Sequence, residues 1–173
     1  EYLYKNHQDA FVRILQRLRG CIPGITHVDA KTTEEGRVLL KFQDGAFEDP
    51  FLARYVSDGT IKMLAYLVLL YDPAPHPLLC VEEPENQLYP SLLWDLAEEF
   101  RTYAERGGQV FVSTHSPDFL NAVQIDEVFW LVKEDGYTQV KRANEDAQLA
   151  ALVAEGDQLG YLWKQGMFPE ANP

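Results

Sequence analysis

Leu78-Leu79-Cys80-Val81-Glu82-Glu83-Pro84 is a run of four apolar residues that ends in two adjacent carboxylates and a proline. An unbroken apolar run, without the alternation of a half-solvated strand, predicts a strand of a parallel sheet covered on both faces. Downstream, Pro90 and Ser91 open a helical pattern that extends through Arg106. Leu92, Leu93, Leu96, Phe100 and Tyr103 share one side of it, and Gly107-Gly108 closes it. Gln109 to Ser113 is a second apolar run. Strand, helix and strand in that order predict a βαβ unit with neighbouring parallel strands. Both carboxylates then fall at the carboxyl edge of the sheet, where open α/β sheets take their ligands. Cys80, inside the run, is expected to be a buried reduced thiol.

Upstream, Phe11, Ile14, Leu15 and Leu18 recur at helical spacing and predict one amphipathic helix from Tyr4 to Arg19. Ile25 to Ala30 and Arg37 to Phe42 flank a polar turn and predict an antiparallel hairpin. The stretch from Asp44 to Tyr55, rich in Gly, Pro and acidic residues, reads as an ordered loop. It leads to Ser57-Asp58-Gly59-Thr60 and then to Ile61–Tyr71, an almost wholly apolar segment stopped by Asp72-Pro73-Ala74-Pro75, which reads as a buried helix. Beyond the βαβ unit, Ser116-Pro117-Asp118 starts a short helix reaching about Val123. Glu127 to Val132 and Thr138 to Lys141 flank Lys133-Glu134-Asp135-Gly136 as a second hairpin, and a glycine-interrupted helical tail runs from Glu145 to Phe168. The fold class is therefore α/β: a parallel sheet flanked by helices, with an antiparallel hairpin near the N-terminus.

With 173 residues, 46% of them hydrophobic, the chain suits one ordinary domain, here taken as residues 1–173. Two cysteines give no disulfide framework. No stretch is long and apolar enough for a bilayer span and the N-terminus has no signal-peptide pattern, so a cytoplasmic location and no membrane partner are expected. The net charge of -12 argues against a broad phosphate-binding face, so any DNA contact should be local or lie outside this chain. The first residue is not Met and the chain starts within a helical pattern, from which a fragment or a processed product is expected.

Neighbouring residues on a strand point to opposite sides, so Glu82 and Glu83 cannot fill one role twice. One can hold a metal while the other handles a proton or positions water, a division that suits phosphoryl transfer. The alternative is a solvated strand end. One crossover later the next strand ends in Ser113-Thr114-His115-Ser116-Pro117, and a histidine there can donate a hydrogen bond to a phosphate.

Taken together these segments carry a family resemblance. Glu82-Glu83-Pro84 after four apolar residues resembles the Walker B motif of an ABC-type ATPase. Asn86 to Leu88 resembles its D-loop, and Ser113 to Pro117 its switch-histidine motif. Val56-Ser57-Asp58-Gly59-Thr60 resembles the ABC signature in the form used by RecF-like and SMC-related ATPase heads, and Leu159 to Gly166 looks like the end of such heads. The resemblance implies a P-loop NTPase-like fold, ATP and Mg²⁺ as cofactors, and a C-terminal lobe spanning the chain. It implies that Glu82 assists Mg²⁺, although aspartate is usual there, that Glu83 activates the attacking water, and that His115 contacts the γ-phosphate. Ser57, Asp58, Gly59 and Thr60 would face nucleotide held by a partner head, and Asn86 would face that head.

No G-x-x-x-x-G-K-[ST] sequence occurs. The resemblance therefore implies an N-terminal lobe that carries the P-loop, supplied on the same gene or as a separate chain, and a head-to-head homodimer around ATP. Work in DNA repair or phage defence is the expected setting. Two other readings stay open. One is a non-catalytic interaction domain on the same fold. The other is an acidic metal-dependent nuclease, for which Val153-Ala154-Glu155-Gly156-Asp157 is the motif.

Overall fold

A computed structural model describes residues 2–171. The chain divides into two compact units, the first running to Val112 and the second beginning at Ser113.

In the first unit the expected N-terminal helix is two helices, α1 (Tyr2–Asn6) and α2 (Gln8–Cys21). The backbone leaves helical geometry at His7, with φ -140° and ψ 62°. There the Asn6 amide donates to the Tyr2 carbonyl at 3.0 Å, a side chain competing for helical hydrogen bonds, and the His7 ring meets the Tyr2 hydroxyl at 3.1 Å. α2 buries Ala10, Ile14, Leu15 and Leu18 and packs on α3 (Asp58–Leu70). Strands β1 (Ile25–Thr32) and β2 (Val38–Asp44) form the expected hairpin, with buried Val28 opposite buried Phe42. A two-residue strand, β3 (Phe51–Leu52), pairs with β2 where the sequence suggested only a loop.

Ser57 caps α3, its hydroxyl accepting from the Thr60 N–H at 3.2 Å. The helix is apolar nearly all round yet is not fully enclosed: Met63, Leu67 and Leu70 are buried, whereas Val68 is exposed. α4 (Pro90–Glu105) starts on Pro90, as read from the sequence, and buries Leu92, Leu93, Leu96, Phe100 and Tyr103. Among these apolar side chains Glu99 is wholly buried. It accepts hydrogen bonds from Arg17 of α2 and, at 2.9 Å, from the Tyr71 hydroxyl just past α3, so one carboxylate ties three segments together. The pairing holds the Arg17 guanidinium pKa above its usual value, and burial, followed by the Glu99 contact, raises that of Tyr71.

β4 (Leu78–Glu82) and β5 (Gln109–Ser113) are adjacent and parallel across α4, as the βαβ reading requires. Burial on both faces does not follow. Leu79 is buried, but Leu78 is 48% exposed, Phe111 is 56% exposed, and Cys80 is an exposed free thiol. The apolar run encodes two apolar faces, and one of them lies bare in this chain.

In the second unit α5 (Pro117–Leu120) is capped by Ser116. β6 (Phe129–Glu134) and β7 (Tyr137–Arg142) form the second hairpin, followed by α6 (Ala147–Ala154) and α7 (Leu159–Lys164). Trp130, Val132, Leu149, Leu159, Leu162 and Phe168 make its core, and the Trp130 indole donates to the Pro169 carbonyl at 3.0 Å. A Cβ on Gly160 would lie 1.9 Å from the Pro117 carbonyl oxygen, so α7 approaches α5 at a distance that excludes any side chain. The Gly160 N–H is meanwhile taken by the Asn121 amide oxygen at 2.7 Å.

Candidate functional site

β4 carries Glu82 to the sheet edge, where its side chain is exposed, and the chain turns sharply at half-buried Glu83. Glu83 has φ +46°, a left-handed conformation rare in a residue with a side chain, and it precedes the buried Pro84. Gln87, four residues on, is also left-handed, with φ +68°. Between them the Asn86 N–H donates to the Glu83 carbonyl at 3.2 Å and the Leu88 N–H to the Glu85 carbonyl at 2.9 Å. Such paired departures from ordinary backbone geometry persist only where surrounding structure holds them, and they concentrate at functional sites.

The start of α3 holds them. A Cβ on Gly59 would lie 2.7 Å from the Gln87 carbonyl oxygen, so the end of this helix and the turn after β4 touch backbone to backbone. One helical turn along, the Lys62 ammonium donates to the Asn86 carbonyl at 2.6 Å and reaches the Glu83 carbonyl at 3.5 Å. It also lies 5.8 Å from the centre of the Tyr66 ring. Burial raises the Tyr66 pKa, and the negative charge of Glu85 raises it further. Gly59, Lys62, Glu83, Glu85 and Asn86 thus converge on one turn of the first unit.

Of the other candidate residues, Ser57 and Asp58 are exposed at the helix start and Thr60 is buried. The Ser57 and Thr60 hydroxyls are 2.9 Å apart. When Thr60 is the donor in that pair, Ser57 retains a proton for a ligand oxygen. Asp58 lies in the first turn, where its charge favours the helix dipole. His115 belongs to the second unit, exposed on the loop between β5 and α5, with the Ser116 N–H bonded to the Thr114 hydroxyl at 2.9 Å beside it.

Among the described residues no group of three or more His, Cys, Asp and Glu side chains is placed to hold a metal by itself. Mg²⁺ in a phosphate site takes one or two carboxylates and draws its remaining ligands from water and phosphate. A hard carboxylate such as Glu82, exposed at a sheet edge, has the right donor chemistry.

Lys62 and Glu85 were not singled out in the sequence. The signal for Lys62 was present: it is the one charged residue in Ile61–Tyr71.

Residues 7–121 match the model of a protein family described as "AAA domain, putative AbiEii toxin, Type IV TA system". The chain belongs to this AAA domain family. Its fold is that of SMC-type ATPase heads. A structure from work on ATP-driven dimerisation and DNA-stimulated activation of SMC ATPases matches with a TM-score of 0.58 and 16% identity, over 90% of this chain and 98% of that one. An SMC head bound to the C-terminal winged-helix domain of ScpA matches with a TM-score of 0.61 and 12% identity, over 80% of this chain and 43% of that one. The SMC head of Pyrococcus furiosus, with an extended coiled coil and the C-terminal domain of ScpA, gives 0.60 and 13%, over 86% and 37%. The AAA domain chain thus spans less than half the length of these two SMC heads. No curated protein sequence matches it significantly. Among the described residues no helix is long and apolar enough to cross a membrane.

Proposed function

We propose that this chain is the half of an ATP-hydrolysing head that contributes the signature, the catalytic carboxylates and the switch histidine, acting with a lobe that supplies the P-loop. Membership of the AAA domain family and the SMC-head fold support nucleotide hydrolysis. The observation that carries the fuller reading is the contact of Gly59 with the Gln87 carbonyl, because it joins the start of α3 to the turn that bears Glu83 and Asn86. The bare face of β4 and β5 supports a covering lobe, since parallel sheets are ordinarily packed on both sides.

In this reading Glu83 takes the proton of the attacking water and Glu82 offers an oxygen to Mg²⁺. His115 donates a hydrogen bond to a γ-phosphate oxygen. Ser57 and Gly59, with Asp58 and the Ser57-bonded Thr60 stabilising the helix start, present a hydroxyl and backbone N–H to the nucleotide of a second head, and Asn86 faces that head. Mg²⁺, when bound with ATP, neutralises the charge on the phosphates. The assembly is a head-to-head homodimer in the cytoplasm, serving DNA repair or phage defence, and any DNA contact comes from regions outside this chain.

Turnover tests the proposal. The protein combined with its P-loop-bearing lobe should hydrolyse ATP with Mg²⁺. Glu83→Gln should still bind ATP while turnover falls by about 10²- to 10⁴-fold. Hydrolysis by Glu83→Gln at the unmodified rate removes Glu83 from the role. Absence of any turnover by the complete assembly turns the reading to a non-catalytic interaction domain.

A further inference from the structure

We infer that Lys62 is a positioning residue that fastens the start of α3 to the Glu83 turn, so that a displacement of one is transmitted to the other. The inference rests on the ATPase reading for its consequence but not for its geometry.

Three observations carry it. The Glu83 turn has an unfavourable backbone: two residues with side chains, Glu83 and Gln87, are left-handed, and the first of them precedes a proline, which further restricts it. Something must hold that conformation, and the hydrogen bonds within the turn from Asn86 to Glu83 and from Leu88 to Glu85 are ordinary neutral ones. Lys62 adds a charge-assisted bond from outside the turn, at 2.6 Å to the Asn86 carbonyl, with the Glu83 carbonyl at 3.5 Å. The ammonium therefore reaches the carbonyls of both residues to which a site role is assigned in this turn. Finally, Lys62 and Gly59 stand three positions apart on α3, hence on one face of the helix, and both meet the same turn. Gly59 allows the close approach and Lys62 holds it.

A lysine is suited to this. Its flexible stem runs along apolar surface while three donors remain at the tip, enough to serve two carbonyls. Methionine matches the stem and removes the donors, whereas arginine keeps the charge and donors on a different geometry.

The experiment uses Lys62→Met and Lys62→Arg in the complete ATPase assembly, with hydrogen exchange of residues 83–88 and steady-state turnover as readouts. Lys62→Met should lower kcat by about 10- to 100-fold, with KM changed less than threefold, as displacement of a reacting group does. Exchange should quicken at 83–88 and stay unchanged in α2 and α4. Lys62→Arg should restore much of both. Unchanged exchange in Lys62→Met overturns the inference, as does accelerated exchange throughout the unit, which marks a general loss of stability. If the unmodified assembly does not hydrolyse ATP, the proposed function fails, and the exchange readout alone decides whether Lys62 fastens the turn.

Discussion

Gly59 faces the Gln87 carbonyl so closely that a β-carbon at position 59 would come within 2.7 Å of the oxygen. Two effects oppose each other when alanine replaces this glycine. Inside a helix, Gly→Ala gains about 1 kcal/mol. Against a backbone oxygen that cannot swing aside, the added methyl forces the turn or the helix to move, at about 1 to 3 kcal/mol. Gly59→Ala should therefore lose stability in urea unfolding, and ATP turnover should fall because the displaced turn carries Glu83. A stabilised Gly59→Ala would show that the two segments do not meet this closely.

Glu99 gives a second prediction. Its carboxylate is wholly buried, whereas the Arg17 side chain is nearly half exposed. Removing the arginine strands a buried charge with one hydroxyl partner, while removing both charges leaves only the half-buried Tyr71 hydroxyl without its acceptor, which water can replace. Arg17→Met should cost about 3 kcal/mol or more, and the Arg17→Met/Glu99→Met double variant should recover most of it. Equal losses in the single and double variants, read from denaturant midpoints, would count against the pairing as the dominant effect.

The two thiols differ in a way that labelling can read. Burial, with the nearby carboxylates of Asp95 and Glu99 adding to it, pushes the Cys21 thiol up to about 11, while Cys80 is exposed on the sheet face. Since the thiolate is the reactive form, Cys21 should label slowly near neutral pH and speed up roughly tenfold per pH unit until its pKa is reached. Folding holds the Cys21 proton more tightly than the unfolded chain does. Its contribution to stability is therefore complete below the ordinary thiol pKa and is lost as pH climbs toward about 11. Cys80 should label at once in the chain alone and become protected when the P-loop-bearing lobe is added. Cys80 labelling that ignores that lobe would contradict coverage of this face.

Much of the architecture was legible in local pattern. The β1 and β2 hairpin, α3, and the β4-α4-β5 unit are all readable because periodicity, a proline at a helix start and closing glycines act within a few residues. β3 was not, because Phe51 and Leu52 become a strand only by pairing with Phe42 and Lys41, a tertiary event. The exposure of Leu78, Cys80 and Phe111 was not legible either, since an apolar strand announces what it can bury and not whether a cover is at hand. In the candidate site, motif order pointed to Ser57–Thr60, Glu82, Glu83, Asn86 and His115. The fastening of the turn by Lys62 depends on a hydrogen bond between residues 24 positions apart, for which no sequence spacing exists.

The uncovered face of β4 and β5 also has a thermodynamic meaning. A folded chain with an apolar strand face open to water gains stability from any molecule that binds there and does not bind the unfolded form, by about 1.4 kcal/mol for each tenfold excess of that molecule over its dissociation constant. In the proposed assembly the P-loop-bearing lobe is such a molecule, so the melting temperature should rise with its concentration, and an apolar face left without it favours self-association.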